Sequence, residues 1–99
     1  MDIMNLNLKL FYGQGCPHCK KMIKNLKELK EEFSFEVKKY EVYENEENRR
    51  KLEKISRGKC SGVPFIISQD KKDYICGSTS YEKTKEWLKE VLKEKEKIR

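Results

Sequence analysis

The feature that most constrains this chain is a junction. An alternating apolar segment ends in Phe11-Tyr12, a loop Gly13-Gln14-Gly15 follows, and Cys16-Pro17-His18-Cys19 opens a stretch with helical periodicity. Leu6, Leu8 and Leu10 alternate with Asn5, Asn7 and Lys9, the period of a strand with one buried face. From Pro17 onward Met22, Ile23, Leu26, Leu29 and Phe33 recur at helical spacing. Proline suits a first helical turn, where its missing N–H would have no partner. Cys16 is therefore expected at a helix N-terminus. Cys19 follows one turn later, at a separation a disulfide can close.

The rest of the chain alternates in kind. Phe35 to Tyr43 reads as a second strand, with Phe35, Val37, Tyr40 and Val42 as inward candidates and a slip in the alternation at Lys38-Lys39. Asn45 to Ser56 carries a thin apolar stripe of Leu52 and Ile55, and Gly58 is placed to stop that helix. Phe65-Ile66-Ile67-Ser68, the polar turn Gln69-Asp70-Lys71-Lys72 and Asp73-Tyr74-Ile75-Cys76 read as a hairpin. Thr79 and Glu82 have the spacing of a capping box for a last helix, whose Trp87, Leu88, Val91, Leu92 and Ile98 share one apolar face. The order is βαβαββα. A right-handed β-α-β crossover makes the first two strands parallel and the hairpin adds an antiparallel edge, giving an α/β fold with a four-stranded mixed sheet flanked by helices.

Ninety-nine residues with 36% hydrophobic content can build one core and not two. The expectation is a single domain over 1–99, with its packed part at about 5–93 and a charged C-terminal tail. No apolar run approaches the ~18 residues of a membrane span, and Met1-Asp2-Ile3-Met4-Asn5 lacks the basic-then-apolar pattern of a secretory leader. A cytoplasmic chain without membrane contact is expected. Charged residues make up 40% of the sequence, mostly Lys and Glu interspersed on helix faces, as on solvated surfaces; the composition also fits life at high temperature. The net charge of +6 is spread over several segments with acids between. No aromatic residues interleave with a basic stripe, so no nucleic-acid partner is expected.

Four cysteines, Cys16, Cys19, Cys60 and Cys76, raise the question of a disulfide framework. In a reducing compartment, however, a close-spaced C-x-x-C is more often catalytic or metal-binding than structural. Thiol–disulfide exchange needs a thiolate as the attacking species. Three features favour that form at Cys16: the partial positive charge of the helix N-terminus, the free N–H groups of the first turn, and His18 two residues on, with Pro17 setting the turn. Cys19 would then be the buried resolving thiol.

The placement of this motif, together with Gly62-Val63-Pro64 ahead of Phe65-Ile66-Ile67, resembles the thioredoxin superfamily. Phe11-Tyr12, Cys16-Pro17-His18-Cys19, Val63-Pro64 and Gly77 fall in the order seen in glutaredoxins, and the resemblance runs from Leu6 to Leu92. It implies a small thiol–disulfide oxidoreductase acting on protein disulfides or glutathione mixed disulfides, with Cys16 as nucleophile. It implies a cis peptide bond before Pro64, a loop set against the redox pair, and a Val63 backbone that pairs with an extended substrate or with glutathione. Tyr12, Gly77 and Ser78 join the substrate-binding candidates, Tyr12 reading equally well as the end of a strand. The expectation is a domain that works without a bound metal or organic cofactor, with glutathione as one candidate co-substrate, disulfide-containing client proteins or a reductase as partners, and a monomer.

The sequence departs from the family in instructive places. Gly13 falls where glutaredoxins usually carry a Lys for a glutathione carboxylate, and Cys76-Gly77-Ser78-Thr79-Ser80 replaces their Gly-Gly turn and following Asp. The Pro-His pair is similar to that of strongly oxidising periplasmic disulfide donors. Leu10 falls near the place of thioredoxin's buried Asp.

Cys60 and Cys76 carry three open readings: inert buried thiols, a second disulfide, or additional redox partners. Pairing Ser68 with Asp73 in the hairpin sets Cys76 opposite Phe65, near the loop bearing Cys60, so a bridge is sterically allowed. A non-enzymatic reading also stands, in which all four thiolates form a tetrahedral zinc site or an interaction module.

Overall fold

The computed structural model describes residues 6–68 and 73–97. The elements are β1 (Leu6–Tyr12), α1 (Pro17–Leu29), β2 (Phe35–Glu41), α2 (Glu46–Ile55), β3 (Phe65–Ser68), β4 (Tyr74–Cys76) and α3 (Tyr81–Lys97). The sheet runs β2-β1-β3-β4. Strands β1 and β2 are parallel, while β3 is antiparallel to both β1 and β4. This is the expected mixed α/β sheet, and the hairpin register sets Phe65 against Cys76. The Gln69–Lys72 turn and Ile98 lie outside the described residues.

The alternation of β1 divides the core in two. Leu6, Leu8 and Leu10 pack with Met22, Leu26 and Leu29 of α1, Phe35, Ile66, and Leu88 and Val91 of α3. On the opposite face Phe11 packs with Val42, Leu52 of α2, Phe65 and Ile67. Two helices thus cover one face of the sheet and one covers the other. Burying each of these large side chains contributes roughly 1.5–3 kcal/mol, so the alternation in β1 fixes which face receives which helix. Trp87 is half-buried against the first cluster. Among the described residues, no helix is long and apolar enough to cross a membrane.

Helix ends follow local chemistry. Asn45 caps α2 by accepting the Asn48 N–H at 2.9 Å, and Glu46 and Glu47 in its first turn suit the positive end of the helix dipole. Beyond Ser56 the chain turns through Gly58 at φ +77°, where a residue without Cβ is unstrained. The cap of α3 corrects the expected Thr79–Glu82 box. Ser80 is the residue whose hydroxyl accepts an N–H, from Lys83 at 3.1 Å. Thr79 stays in the preceding loop, its carbonyl accepting from the buried Asn25 amide of α1 at 3.1 Å.

Strand β2 stops at Glu41 rather than Tyr43. The ladder continues one bond further, Val42 N–H to Tyr12 carbonyl at 2.9 Å. The Glu41 carboxylate then takes the N–H groups of Tyr43 and Glu44 at 3.0 and 2.9 Å and turns the chain out of the sheet. Lys38 and Lys39 are both exposed, as the slip in alternation required.

Candidate active site

The two cysteines of the junction lie where the carboxyl ends of β1 and β2 meet the start of α1. Cys16 is the N-cap of α1, with Pro17 in the first turn, and its sulfur accepts the Cys19 N–H at 3.2 Å. Its own N–H closes a tight turn onto the Gly13 carbonyl at 3.1 Å. Cys19, 1% exposed against 8% for Cys16, receives the Gly13 N–H on its sulfur at 3.4 Å. Gly13 therefore holds both ends of the motif. Both sulfurs are free thiols.

The two positions are electrostatically unequal. Burial, then a hydrogen bond with Cys16 and the charge of that neighbour, push the Cys19 thiol up to about 11, against the opposing Gly13 N–H. Cys19 is therefore held as the neutral thiol at neutral pH, while the Cys16 sulfur sits at the helix N-terminus and accepts the Cys19 N–H.

His18 is exposed, and its Nδ1 lies 3.4 Å from the Ser78 hydroxyl. That contact joins the first turn of α1 to the loop after β4, and so brings two predicted site residues together. Val63–Pro64 is a cis peptide bond, with Val63 half-buried and Pro64 buried. The Pro64 carbonyl accepts the Gly77 N–H at 2.8 Å, and Gly77 adopts φ +86°. Tyr12 is half-buried at the end of β1, its carbonyl engaged by Val42.

Cys60 and Cys76 are joined in a disulfide with Cα atoms 5.4 Å apart. This replaces the inert-thiol reading. The register that sets Cys76 opposite Phe65 brings it to the loop preceding Pro64. The four-thiolate zinc reading would require this bond to be absent. Among the described residues, no group of three or more His, Cys, Asp or Glu side chains is placed to hold a metal ion.

Two residues of the site were not singled out in the sequence. Glu41 accepts the Gln14 N–H at 2.9 Å in addition to those of Tyr43 and Glu44, tying the end of β2 to the glycine loop. Desolvation pushes its carboxyl up, but the N–H groups of Glu44, Gln14, Tyr43 and Asn45 together outweigh this and hold it below its ordinary value. Tyr43, half exposed, lays its ring over Gly13 so closely that a Cβ there would clash with its ring carbons. Partial desolvation, then the charges of Cys16 and Cys19, a hydrogen bond with Cys16 and the charge of Glu41 raise its phenol. A signal existed in the strand order: parallel neighbours bring their carboxyl ends together, where open α/β sheets gather their sites.

The family profile described as Glutaredoxin matches residues 8–72. Among solved structures, thioredoxin from Aeropyrum pernix superimposes with a TM-score of 0.67 at 18% identity, covering 88% of this chain and 75% of that one. No curated protein matches the chain significantly.

Proposed function

Given that the chain belongs to the glutaredoxin family, a family of thiol–disulfide oxidoreductases, we propose that it catalyses dithiol–disulfide exchange through Cys16 and Cys19. The observation that carries this reading is the arrangement of the pair. A free cysteine caps a helix, accepts an N–H from the second free cysteine, and has that second thiol buried beside it.

In the reducing direction, the Cys16 thiolate attacks one sulfur of a substrate disulfide. The new Cys16–substrate bond forms as the substrate bond breaks, and the electron pair leaves on the second substrate sulfur. Cys19, after losing its proton to solvent or to the departing thiolate, attacks Cys16. The Cys16–Cys19 disulfide then forms and the remaining substrate sulfur leaves as a thiolate. Two electrons have passed to the substrate. The reverse sequence oxidises a dithiol client. The N–H donors at the cap stabilise the negative sulfur whenever Cys16 carries it. The raised Cys19 thiol keeps the resolving residue protonated until the mixed disulfide has formed.

By family resemblance, Val63 offers its backbone to an extended substrate, with Pro64, Tyr12, Gly77 and Ser78 lining the approach and His18 tuning the cap. No bound cofactor is needed. Electrons come from glutathione or a reductase, and client proteins or glutathione mixed disulfides are the substrates.

Equilibration in glutathione buffers, followed by acid trapping and mass spectrometry, tests this reading. A reversible Cys16–Cys19 disulfide is expected, with Cys19→Ser accumulating a mixed disulfide at Cys16. A couple near ~−270 mV would mark a thioredoxin-type reductant and one near ~−120 mV an oxidant. Absence of a reversible bond, or one stoichiometric zinc per chain in protein purified without chelator, would overturn it.

A further inference from the structure

The exchange reaction places a negative charge on Cys16 at each step in which that sulfur attacks or leaves. Besides the first turn of α1, a side chain just beyond the end of β2 lies against the loop that holds this sulfur. Tyr43 follows directly on the last ladder bond of the parallel pair, Val42 N–H to Tyr12 carbonyl. Its backbone is fixed by the Glu41 carboxylate, which simultaneously holds Gln14. Its ring therefore rests on Gly13 with the hydroxyl-bearing edge nearest that residue, and Gly13 is bonded to both cysteines, which sets the phenol beside the redox pair.

Resting on the exchange reaction above, we propose that Tyr43 is a catalytic residue whose hydroxyl donates a hydrogen bond to the Cys16 sulfur when that sulfur is a thiolate. In the oxidising direction the step is explicit. A client thiolate attacks the client sulfur of the Cys16 mixed disulfide, the client disulfide forms, and the Cys16–sulfur bond breaks. Its electron pair remains on Cys16, and the Tyr43 O–H meets that charge without giving up its proton. Read backwards, the same contact stabilises the attacking thiolate. The contact favours the reduced, ionised form of the couple and so makes the protein a stronger oxidant than it would be without it.

The groups facing the hydroxyl are few. Cys16 and Cys19 lie at the start of α1, both bonded to the Gly13 under the ring, and Glu41 of β2 holds the Tyr43 N–H. His18, also in the first turn, has its Nδ1 against Ser78. The Glu41 carboxylate, and Cys16 whenever it is a thiolate, are negative while Cys19 is neutral, which keeps the hydroxyl protonated as a donor. This is consistent with the raised phenol. A neutral hydroxyl that is half in water contributes less than a fully buried donor to a charged acceptor, so an effect of roughly fivefold to tenfold is expected.

Tyr43→Phe keeps the ring on Gly13 and removes only the donor. The test is the pH profile of Cys16 alkylation between pH 4 and 10, together with the Cys16–Cys19 equilibrium against glutathione above the profile's midpoint. In the variant, the profile should move to higher pH and the equilibrium should shift roughly fivefold to tenfold toward the disulfide. Tyr81→Phe is the control, since that phenol donates to Glu32 at 2.8 Å, beyond the C-terminal end of α1 and so away from the cysteines at its start; its profile should overlay the parent. Coincidence of Tyr43→Phe with the parent in both measurements, or an equal shift in Tyr81→Phe, would overturn the role of Tyr43 while leaving the exchange reading intact. Failure of the parent itself to form a reversible disulfide would overturn both.

Discussion

The molecule holds two pairs of cysteines that differ in nearly every physical respect. Cys16 and Cys19 are free, buried, and set within one helical turn, with their sulfurs accepting backbone N–H groups. Cys60 and Cys76 are bonded across 16 positions, joining a loop to the end of the hairpin, and Cys76 is exposed. In the first pair each sulfur accepts one backbone N–H and no bond joins the two. The second pair sits where the sheet has already brought two segments together. Proximity alone is enough for a crosslink, whereas the proposed exchange needs a sulfur placed at a helix N-terminus with a donor on it.

The largest break in this comparison should come from activity. Cys16→Ser is expected to lower exchange by roughly a thousandfold or more, whereas Cys60→Ser/Cys76→Ser should retain exchange of the same order, both read with a small disulfide substrate and a coupled reductant. Equal losses in the two would mean that the pairs work as one relay.

Stability should show the reverse ranking. Opening the Cys60–Cys76 loop of 16 residues is expected to cost about 3 kcal/mol by loop-closure entropy, measured by urea unfolding of Cys60→Ser/Cys76→Ser with the other pair reduced. Cys16→Ser should unfold close to the parent.

A pH dependence separates the pairs further. The Cys19 thiol is raised in the folded state from the ordinary 9.0 to about 11. Its contribution to stability is thus fully present below about pH 9 and is lost as pH rises toward about 11, because the unfolded chain ionises first. For the protein with Cys16 and Cys19 reduced, the loss is on the order of 2 kcal/mol. With that pair oxidised, Cys19 does not titrate and the loss should vanish; chemical unfolding at pH 8, 9.5 and 11 in the two redox states checks it. An alkaline loss of the same size in both states would reassign it to other groups.

The smallest effect sharpens the geometry of the reactive pair. Gly13→Ala introduces a Cβ where the Tyr43 ring lies. Because Tyr43 is half in solvent and can swing outward, the stability cost should be about 1 kcal/mol or less. On the role proposed for Tyr43, exchange should nonetheless slow severalfold, since the same displacement moves the phenol away from the redox pair. Unchanged exchange kinetics would place the ring outside the reaction.

What the sequence by itself determined is what local spacing encodes. The alternation of Leu6, Leu8 and Leu10, the helical stripe from Met22 to Leu29 and the placement of Cys16-Pro17-His18-Cys19 at their junction suffice for β1, α1 and the Cys16 cap, and the apolar patterns of Phe35 to Tyr43, Leu52 and Ile55, and Phe65 to Cys76 extend them to the element order. Each depends on residues within a turn or two of one another. Cap positions were legible only to within a residue, because Thr79 and Ser80 are both good caps and only the packing of Asn25 on the Thr79 carbonyl selects between them. The tertiary structure alone decided the Cys60–Cys76 bond, the approach of His18 to Ser78 and the seating of Tyr43 over Gly13. These pair residues far apart in the chain, and the parallel crossover and hairpin register that unite them arise from burying both faces of one sheet at once.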